Sequence, residues 1–244
     1  MVLCEGIGLS RRFGGIAALQ DVTLGIEPAT ILALIGPNGS GKTTLFNLLA
    51  GQMRPTAGTV RWRGRDITTW PPHRRCRAGI GRTFQVAQPF PDLTLSENVA
   101  LGLLYGRPGD VGGRRRDALA HARDLLGEVG LDAKAGEPAR TLSLGDLKRL
   151  ELCMVLATEP ALLLVDEILA GQSPASAHQI LGHLSRLRAK GMAICLVEHR
   201  LRALLQVADR VVALHQGRVI AEGRPEDVVK APAVLEAYLG EPSA

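Results

Sequence analysis

The clearest chemistry in the sequence lies in the glycine-rich stretch GPNGSGKT at residues 36–43, which fits the pattern G-x-x-x-x-G-K-[ST] completely. Glycines let a backbone wrap closely around phosphate oxygens, and the amides of such a loop favour an anion together with the N-terminus of a following helix. Lys42 would direct a positive charge towards the β- and γ-phosphates of a nucleotide, and Thr43 would offer its hydroxyl to Mg²⁺. The predicted phosphate-binding residues are Gly36, Pro37, Asn38, Gly39, Ser40, Gly41, Lys42, Thr43 and Thr44.

Two acidic residues follow a second apolar stretch, LLLV at residues 162–165. A carboxylate at the C-terminal end of a buried strand is placed to bind Mg²⁺ through its water shell, which indicates Asp166 as a metal-binding residue. Glu167 would then activate or orient an attacking water. Acidic residues after a strand are often ordinary surface residues, but the complete loop at 36–43 favours the functional interpretation here.

The pattern of apolar residues predicts the elements that must position these groups. Short apolar stretches alternate with amphipathic helical patterns, which is typical of a largely parallel α/β fold. Strands are predicted at Ile31–Ile35, 162–165, Ala193–Val197, 211–214 and 218–221. A helix is predicted after each of the first three strands. The first helix covers 43–50, the second lies around Ile180, Leu184 and Leu187, and the third lies around Leu201, Leu204, Leu205 and Ala208. From about residue 89 to residue 160 the pattern is helical and contains no convincing strand, which indicates a helical subdomain inserted into one α/β core.

Composition excludes several classes of protein. The chain has 29 Lys and Arg against 24 Asp and Glu, a formal net charge of +5 that fits a phosphate site or an anionic membrane surface. Basic residues do not alternate with aromatic ones, so no nucleic-acid partner is expected. The four cysteines form no C-x-x-C pair and predict buried thiols in a reducing compartment. No apolar run is long enough to span a bilayer and no secretory signal begins the chain, so we expect a soluble, cytoplasmic protein whose membrane role would depend on a partner.

A third element is LSLGD at residues 142–146, in which Ser143 can cap a helix. The order of these elements, with the loop at 36–43 first, then the helical insertion, the Ser-x-Gly helix start and the Asp-Glu strand, resembles the ATP-binding cassette (ABC) superfamily up to about residue 239. The resemblance implies an ATPase that uses ATP and Mg²⁺. It also implies a P-loop (RecA-like) α/β fold with an N-terminal antiparallel β-subdomain. One cassette would cover residues 1–244, with a core at 1–88 and 161–244 and the helical subdomain at 89–160.

The resemblance assigns further roles residue by residue. Gln85 in GRTFQ matches the glutamine that contacts Mg²⁺ and the catalytic water, and His199 matches the switch histidine at the γ-phosphate; both would act with Glu167 in catalysis. Phe13 is the candidate for the aromatic side chain that stacks on adenine. In the head-to-tail dimers of this family, Ser143 and Gly145 would contact the ATP bound by the neighbouring subunit.

Several stretches are similar to the ATPases of branched-chain amino-acid importers, and GRTFQ is similar to the larger of the two ATPases that such importers carry. These stretches are KTTLFNLLAG at 42–51, DITTWPPHR at 66–74, GIGRTFQ at 79–85 and ADRVVALHQGRVIAEGRP at 208–225. This resemblance implies integral-membrane permease subunits and a second ATPase subunit, in a homodimer or heterodimer. It also implies a periplasmic or extracellular solute-binding protein as an indirect partner, and a position at the cytoplasmic face of the inner or plasma membrane.

Other functions stay open at this point. Importers of urea or amides share much of the pattern. Non-transport ABC ATPases usually carry two tandem cassettes or a long coiled coil, for which 244 residues leave no room. A P-loop kinase would need a lid over its substrate in place of the Ser-x-Gly helix.

The sequence departs from the family pattern where one subunit faces its neighbour. The departures are Leu144 for Gly or Tyr, Asp146 for Gln, Ile168 for Pro, Gln172 and Ser173 for Leu and Asn, and Arg200 for Asp. A carboxylate at 146 would be unfavourable near a neighbour's triphosphate unless it points away or pairs with Lys148 or Arg149. The hypothesis is that the chain hydrolyses ATP at its own loop but contributes a weakened signature helix to its neighbour's site.

Overall fold

A computed structural model of the chain describes residues 2–83, 88–106, 115–198 and 200–239. The strands are β1 (Cys4–Phe13), β2 (Ile16–Ile26), β3 (Ile31–Ile35), β4 (Ala57–Trp62), β5 (Arg65–Asp66), β6 (Ile80–Arg82), β7 (Leu162–Asp166), β8 (Ala193–Val197), β9 (Arg210–His215) and β10 (Arg218–Gly223). The helices are α1 (Lys42–Ala50), α2 (Pro72–Arg77), α3 (Leu95–Tyr105), α4 (Arg115–Glu128), α5 (Leu144–Leu156), α6 (Pro174–Ala189), α7 (Leu201–Leu205), α8 (Pro225–Val228) and α9 (Pro232–Leu239). None of these helices is long and apolar enough to cross a lipid bilayer.

The strands form two sheets. The larger has the order β10-β9-β3-β8-β7-β6 and is parallel except for β10, which pairs with β9 in antiparallel fashion. The smaller is antiparallel, with the order β2-β1-β4-β5. This arrangement confirms the predicted α/β class with an N-terminal antiparallel sheet.

Buried strands of the larger sheet separate two hydrophobic cores. Side chains alternate across a strand, so Leu32 and Leu34 of β3 face α1 and the smaller sheet, while Ile31, Ala33 and Ile35 face α5 and α6. A strand buried on both faces reads as a continuous apolar run, which is why the sequence pattern identified it. The carboxyl ends of these parallel strands therefore sit on a rigid, fully apolar support.

A third core joins α3, α4 and α5. Leu95 and Val99 of α3 pack with Leu126 of α4 and Leu150 of α5. Helix α5 also contributes Leu152 to the core under the larger sheet, so it belongs to both. The N-terminus of α5, where Ser143 lies, is therefore held in place relative to β7, the strand that carries Asp166.

The predicted elements agree with the structure apart from their ends. The helix predicted around Leu201 to Ala208 ends at Leu205. The amides of Val207 and Ala208 both donate to the carbonyl of Leu204 in a closing turn, and the amide of Asp209 donates to Ile31 at 2.9 Å. The start of pairing with β3 thus ends the helix, although Ala208 still packs against the apolar core.

Candidate functional site

The stretch 36–43 forms the loop between β3 and α1, at the carboxyl end of the larger sheet. Gly36 has φ +145, and a Cβ atom there would lie 2.1 Å from the carbonyl oxygen of Leu214. Gly41 has φ +106, and a Cβ atom there would lie 2.7 Å from the carbonyl oxygen of Ala18. Backbone therefore approaches the loop from two sides at positions where any side chain would collide.

Lys42 lies at the centre of this loop. Its buried ammonium donates to the carbonyl oxygens of Gly36 at 2.6 Å and Pro37 at 2.8 Å, and lies 3.5 Å from the hydroxyl of Ser40. The lysine thus fixes the curvature of the loop and concentrates positive charge inside it. The next residue, Thr43, is exposed in the first turn of α1 and carries a hydroxyl.

A cavity of about 620 Å³ brings together Phe13, most of the loop and Glu167, whereas Gly36, Pro37 and Asp166 are not among its lining residues. Its lining consists of Phe13, Ala18, Asn38, Gly39, Ser40, Gly41, Lys42, Thr43, Thr44, Glu167 and Val197. A volume of this size is in the range of small-molecule and cofactor sites. The exposed ring of Phe13 lies at its edge, and the guanidinium of Arg11 stacks on that ring at 4.8 Å from the centroid.

The two acidic residues at the end of β7 have different surroundings. Asp166 is 4% exposed, and its carboxylate lies 3.6 Å from the guanidinium of Arg82. Burial raises the pKa of Asp166 and Glu167 adds to the rise, whereas Arg82, Lys148 and Lys42 oppose it. Glu167 has φ +49 and reaches the cavity, with its amide donating to Val197 at 3.0 Å.

The oxygen donors near the loop fit Mg²⁺. Mg²⁺ is usually held by one or two carboxylates together with phosphate and water oxygens, and Thr43 and Asp166 offer a hydroxyl and a carboxylate of this kind. Within the described ranges, no three His, Cys, Asp or Glu residues cluster to hold a metal by themselves. The donor set therefore suits a metal whose coordination a bound triphosphate completes.

Ser143 caps α5 outside this cavity. Its hydroxyl accepts from the amide of Asp146 at 3.2 Å. The carboxylate of Asp146 is buried and pairs with Lys134 at 2.7 Å and with Arg149. Burial favours a higher pKa for Asp146, but the two cations outweigh it and lower the pKa below its ordinary value. The carboxylate is thus engaged within the subunit.

Two other departures, Gln172 and Arg200, connect to the same end of α5. The amide of the Gln172 side chain donates to the carbonyl of Gly145 at 2.9 Å, and Arg200 donates to the carbonyl of Gln172 at 3.1 Å. Lys148 donates to the carbonyl of Glu167 instead of pairing with Asp146. Gln172 and Arg200 therefore contact each other and link to the start of α5, while Lys148 of the same helix binds the carbonyl of Glu167.

Two predicted site residues cannot be placed, and two contacts near the site were not predicted from the sequence. Gln85 and His199 lie outside the described residues. Two contacts have no signal in the local sequence pattern, the ion pair of Arg82 with Asp166 and a hydrogen bond from the amide of Gly36 to the hydroxyl of Tyr238. Arg82 lies within the GRTFQ stretch, so the family match of that stretch was a signal that could have identified Arg82 as a candidate.

Comparison with known proteins places this geometry in a family. The model of the ABC transporter family matches residues 19–170, more than half of the chain, and that of the branched-chain amino acid ATP-binding cassette transporter family matches residues 218–244. The chain is 36% identical to the high-affinity branched-chain amino acid transport ATP-binding protein BraF of Pseudomonas aeruginosa, over 98% of each chain. It is 38% identical to the probable branched-chain amino acid transport ATP-binding protein LivG of Archaeoglobus fulgidus, over 98% of this chain and 96% of the relative.

Solved structures agree with the sequence relatives. A nucleotide-free ATP-binding cassette from an ABC transporter superposes with a TM-score of 0.89 at 31% identity, over 99% of this chain and all of that one. The ADP conformation of an ATP-binding cassette of an ABC transporter superposes with a TM-score of 0.86 at 32% identity, with the same coverage. The chain belongs to the ABC transporter family, as an ATP-binding domain of that family.

Proposed function

We propose that the chain is the ATP-binding and ATP-hydrolysing subunit that energises an importer of branched-chain amino acids. The observation that carries this proposal is that Lys42, Thr43 and Glu167 line the same cavity. A phosphate-binding loop opposite a carboxylate is what hydrolysis of a nucleoside triphosphate requires. The names of the relatives and the match of residues 218–244 support the class of substrate.

The loop would hold the triphosphate, with Lys42 at the β- and γ-phosphates. Thr43 and Asp166 would bind Mg²⁺, which neutralises phosphate charge, and Glu167 would orient or deprotonate the attacking water. Phe13 would stack on adenine. By resemblance, Gln85 and His199 would complete the metal and γ-phosphate contacts.

The partners follow from the same family membership. Ser143 and Gly145 would contact ATP bound by a second ATPase subunit, because the N-terminus of α5 is an anion-binding helix end. Residues 89–160 would act as a helical subdomain that transmits closure of this dimer to permease subunits, within a core formed by 1–88 and 161–244. A solute-binding protein would deliver the substrate on the opposite side of the membrane.

The proposal is tested by reconstituting the chain with its permease, second ATPase and solute-binding protein in vesicles and measuring ATP-dependent leucine uptake. Glu167→Gln should keep ATP binding but slow hydrolysis and uptake on the order of 100-fold or more, the contribution of a positioned general base. Glu226→Gln, which removes an exposed carboxylate on α8, is the matched control and should behave like the wild type.

Two results would contradict the proposal. ATP-dependent uptake of urea or an amide, with no uptake of leucine, would show that branched-chain amino acids are not the transported substrate. Full hydrolysis by the Glu167→Gln variant would reject the assigned role of Glu167.

A further inference from the structure

Helix α9 contacts the phosphate-binding loop through Tyr238. Val234 and Ala237 of α9 are buried and anchor the helix, which contacts β10. Tyr238 follows them and is 42% exposed. Its hydroxyl oxygen accepts a hydrogen bond from the amide of Gly36 at 2.8 Å, across 202 positions of sequence.

Gly36 connects this hydroxyl to the lysine of the loop. The carbonyl of Gly36 accepts from the ammonium of Lys42 at 2.6 Å, while its amide donates to Tyr238. The carbonyl of Leu214 also lies where a side chain of residue 36 would stand. The peptide units on both sides of Gly36 are thereby oriented by hydrogen bonds, one to Tyr238 of α9 and one from Lys42.

Packing alone does not hold the loop against α9. A cavity of about 260 Å³ lies between them, lined by Pro37, Asn38, Gly39, Ser40, His215, Gln216, Glu236 and Ala237. Because the space between the loop and α9 is open, the hydrogen bond from Gly36 to Tyr238 restricts the peptide of Gly36 more than loose packing would. The burial of Val234 and Ala237 would hold the helix with or without the hydroxyl.

We propose that Tyr238 is a positioning residue for nucleotide binding, which preorganises the loop by fixing the peptide of Gly36. A loop that is already ordered loses less conformational freedom when a phosphate binds, so its affinity is higher. The role rests on the proposed function, since it concerns ATP at this loop. Nucleotide affinity then depends on the docking of α9.

The test is Tyr238→Phe, which removes the hydroxyl and keeps the ring. Calorimetry with a non-hydrolysable ATP analogue on the purified chain should show affinity about three- to ten-fold weaker, the usual range for one lost hydrogen bond. Hydrogen exchange at the Gly36 amide, measured without nucleotide, should become faster. In the assembled complex the loss should appear in KM for ATP, with kcat changing less than KM does.

Two control variants separate the hydroxyl from the helix. Tyr105→Phe removes an exposed phenolic hydroxyl from α3, and Leu235→Ala shortens an exposed apolar side chain on α9 itself. Both should keep wild-type affinity and wild-type exchange at Gly36.

The outcomes distinguish this role from the proposed function. Absence of ATP binding by the wild-type chain would reject the proposed function, whereas the exchange experiment needs no nucleotide. Wild-type affinity together with unchanged exchange in Tyr238→Phe would overturn the role of Tyr238. A lower thermal midpoint with unchanged affinity would overturn it as well, because the hydroxyl would then serve stability alone.

Discussion

Lys42 shows how one side chain shapes both the loop and its charge. Its ammonium donates to two carbonyls of its own loop, and a phosphate oxygen would compete for the same three donors. Lys42→Met keeps the length of the side chain but removes the charge. Hydrolysis by the assembled complex should fall on the order of 100- to 1,000-fold, as when a preorganised electrostatic group is lost. Lys230→Met, which removes an exposed lysine after α8, is the control, and equal rates for the two variants would contradict this role.

The cysteines differ in how readily they should react. Burial raises the pKa of Cys4 to about 12 and raises the pKa of Cys153 and Cys195 as well. The thiolate is the reactive form, so at pH 7 the thiol of Cys4 should react on the order of a thousandfold more slowly than an ordinary cysteine. Burial also raises the pKa of Cys76, but its side chain is only half-buried and lines a cavity of about 420 Å³.

N-ethylmaleimide should therefore modify Cys76 first in the folded protein and the other three after denaturation. Peptide mass spectrometry measures the order, and the rate at Cys76 should rise with pH because its raised pKa keeps the thiol protonated. The Cys76→Ala variant is the control, since it should take up little reagent until it unfolds. Rapid labelling of Cys153 or Cys195 in the native protein would contradict the buried positions.

Local sequence was sufficient to identify the glycine-rich loop between β3 and α1, but not the residues that contact it from elsewhere in the chain. The loop is contiguous, and each of its residue types has a reason within eight positions. Arg82 meets Asp166, and Tyr238 meets Gly36, only because the chain returns to the same edge of the sheet. The pairing of Asp146 with Arg149 was one of two alternatives in the sequence, and the structure selects it and adds Lys134.

At the scale of elements, four of the five strands that the local pattern predicted, β3, β7, β8 and β9, are largely buried, whereas β10 is partly exposed. The antiparallel strands β1, β2 and β4 were expected only from the family resemblance, because their patterns are irregular. The register of β1 against β2 shifts between Gly6 and Leu9, and it shifts again between Leu9 and Arg12. Each shift interrupts the alternation of apolar and polar residues by which a half-buried strand is recognised.

Arg75 of α2 ties its own helix to the end of α1 and to the segment between β5 and α2 through backbone carbonyls. Its guanidinium, 1% exposed, donates to the carbonyls of Leu48 and Leu49 at the end of α1 and to those of Ile67, Thr68 and Trp70 before α2. Burial lowers the pKa of Arg75 to about 10, so the side chain stays charged at neutral pH. A cation at the C-terminal end of α1 also complements the helix dipole.

Arg75→Met should lower the free energy of unfolding by about 3 kcal/mol or more, because it leaves several buried carbonyls without donors. Chemical denaturation followed by circular dichroism measures the change. Arg77→Met removes an exposed arginine from the same helix and should change stability by no more than about 0.5 kcal/mol. Equal effects of the two substitutions would show that the buried hydrogen bonds contribute little.

At the scale of the whole molecule, residues 36–43 keep the family pattern, whereas the N-terminal end of α5 departs from it. The altered charge is neutralised, because Asp146 is held by Lys134 and Arg149. What remains is the altered shape of the N-terminal end of α5. Leu144 is 59% exposed at the first position of α5, and the carbonyl of Gly145 is bound by Gln172. In a head-to-tail dimer these two features would face the neighbour's ATP, so any weakening there would be steric.

An asymmetric dimer makes the two hydrolytic sites unequal. In the proposed dimer, Glu167 would act at the site that a neighbour's α5 completes. The corresponding carboxylate of a second ATPase would act at the site completed by the altered α5 of this chain. Glu167→Gln here should therefore lower ATP hydrolysis by the assembled complex more than the matching substitution in the second ATPase does. The measurement compares both single variants with the double variant, whose residual rate sets the background. A larger loss from the substitution in the second ATPase would show that the altered α5 still completes an active site, and the asymmetry would then have to be abandoned.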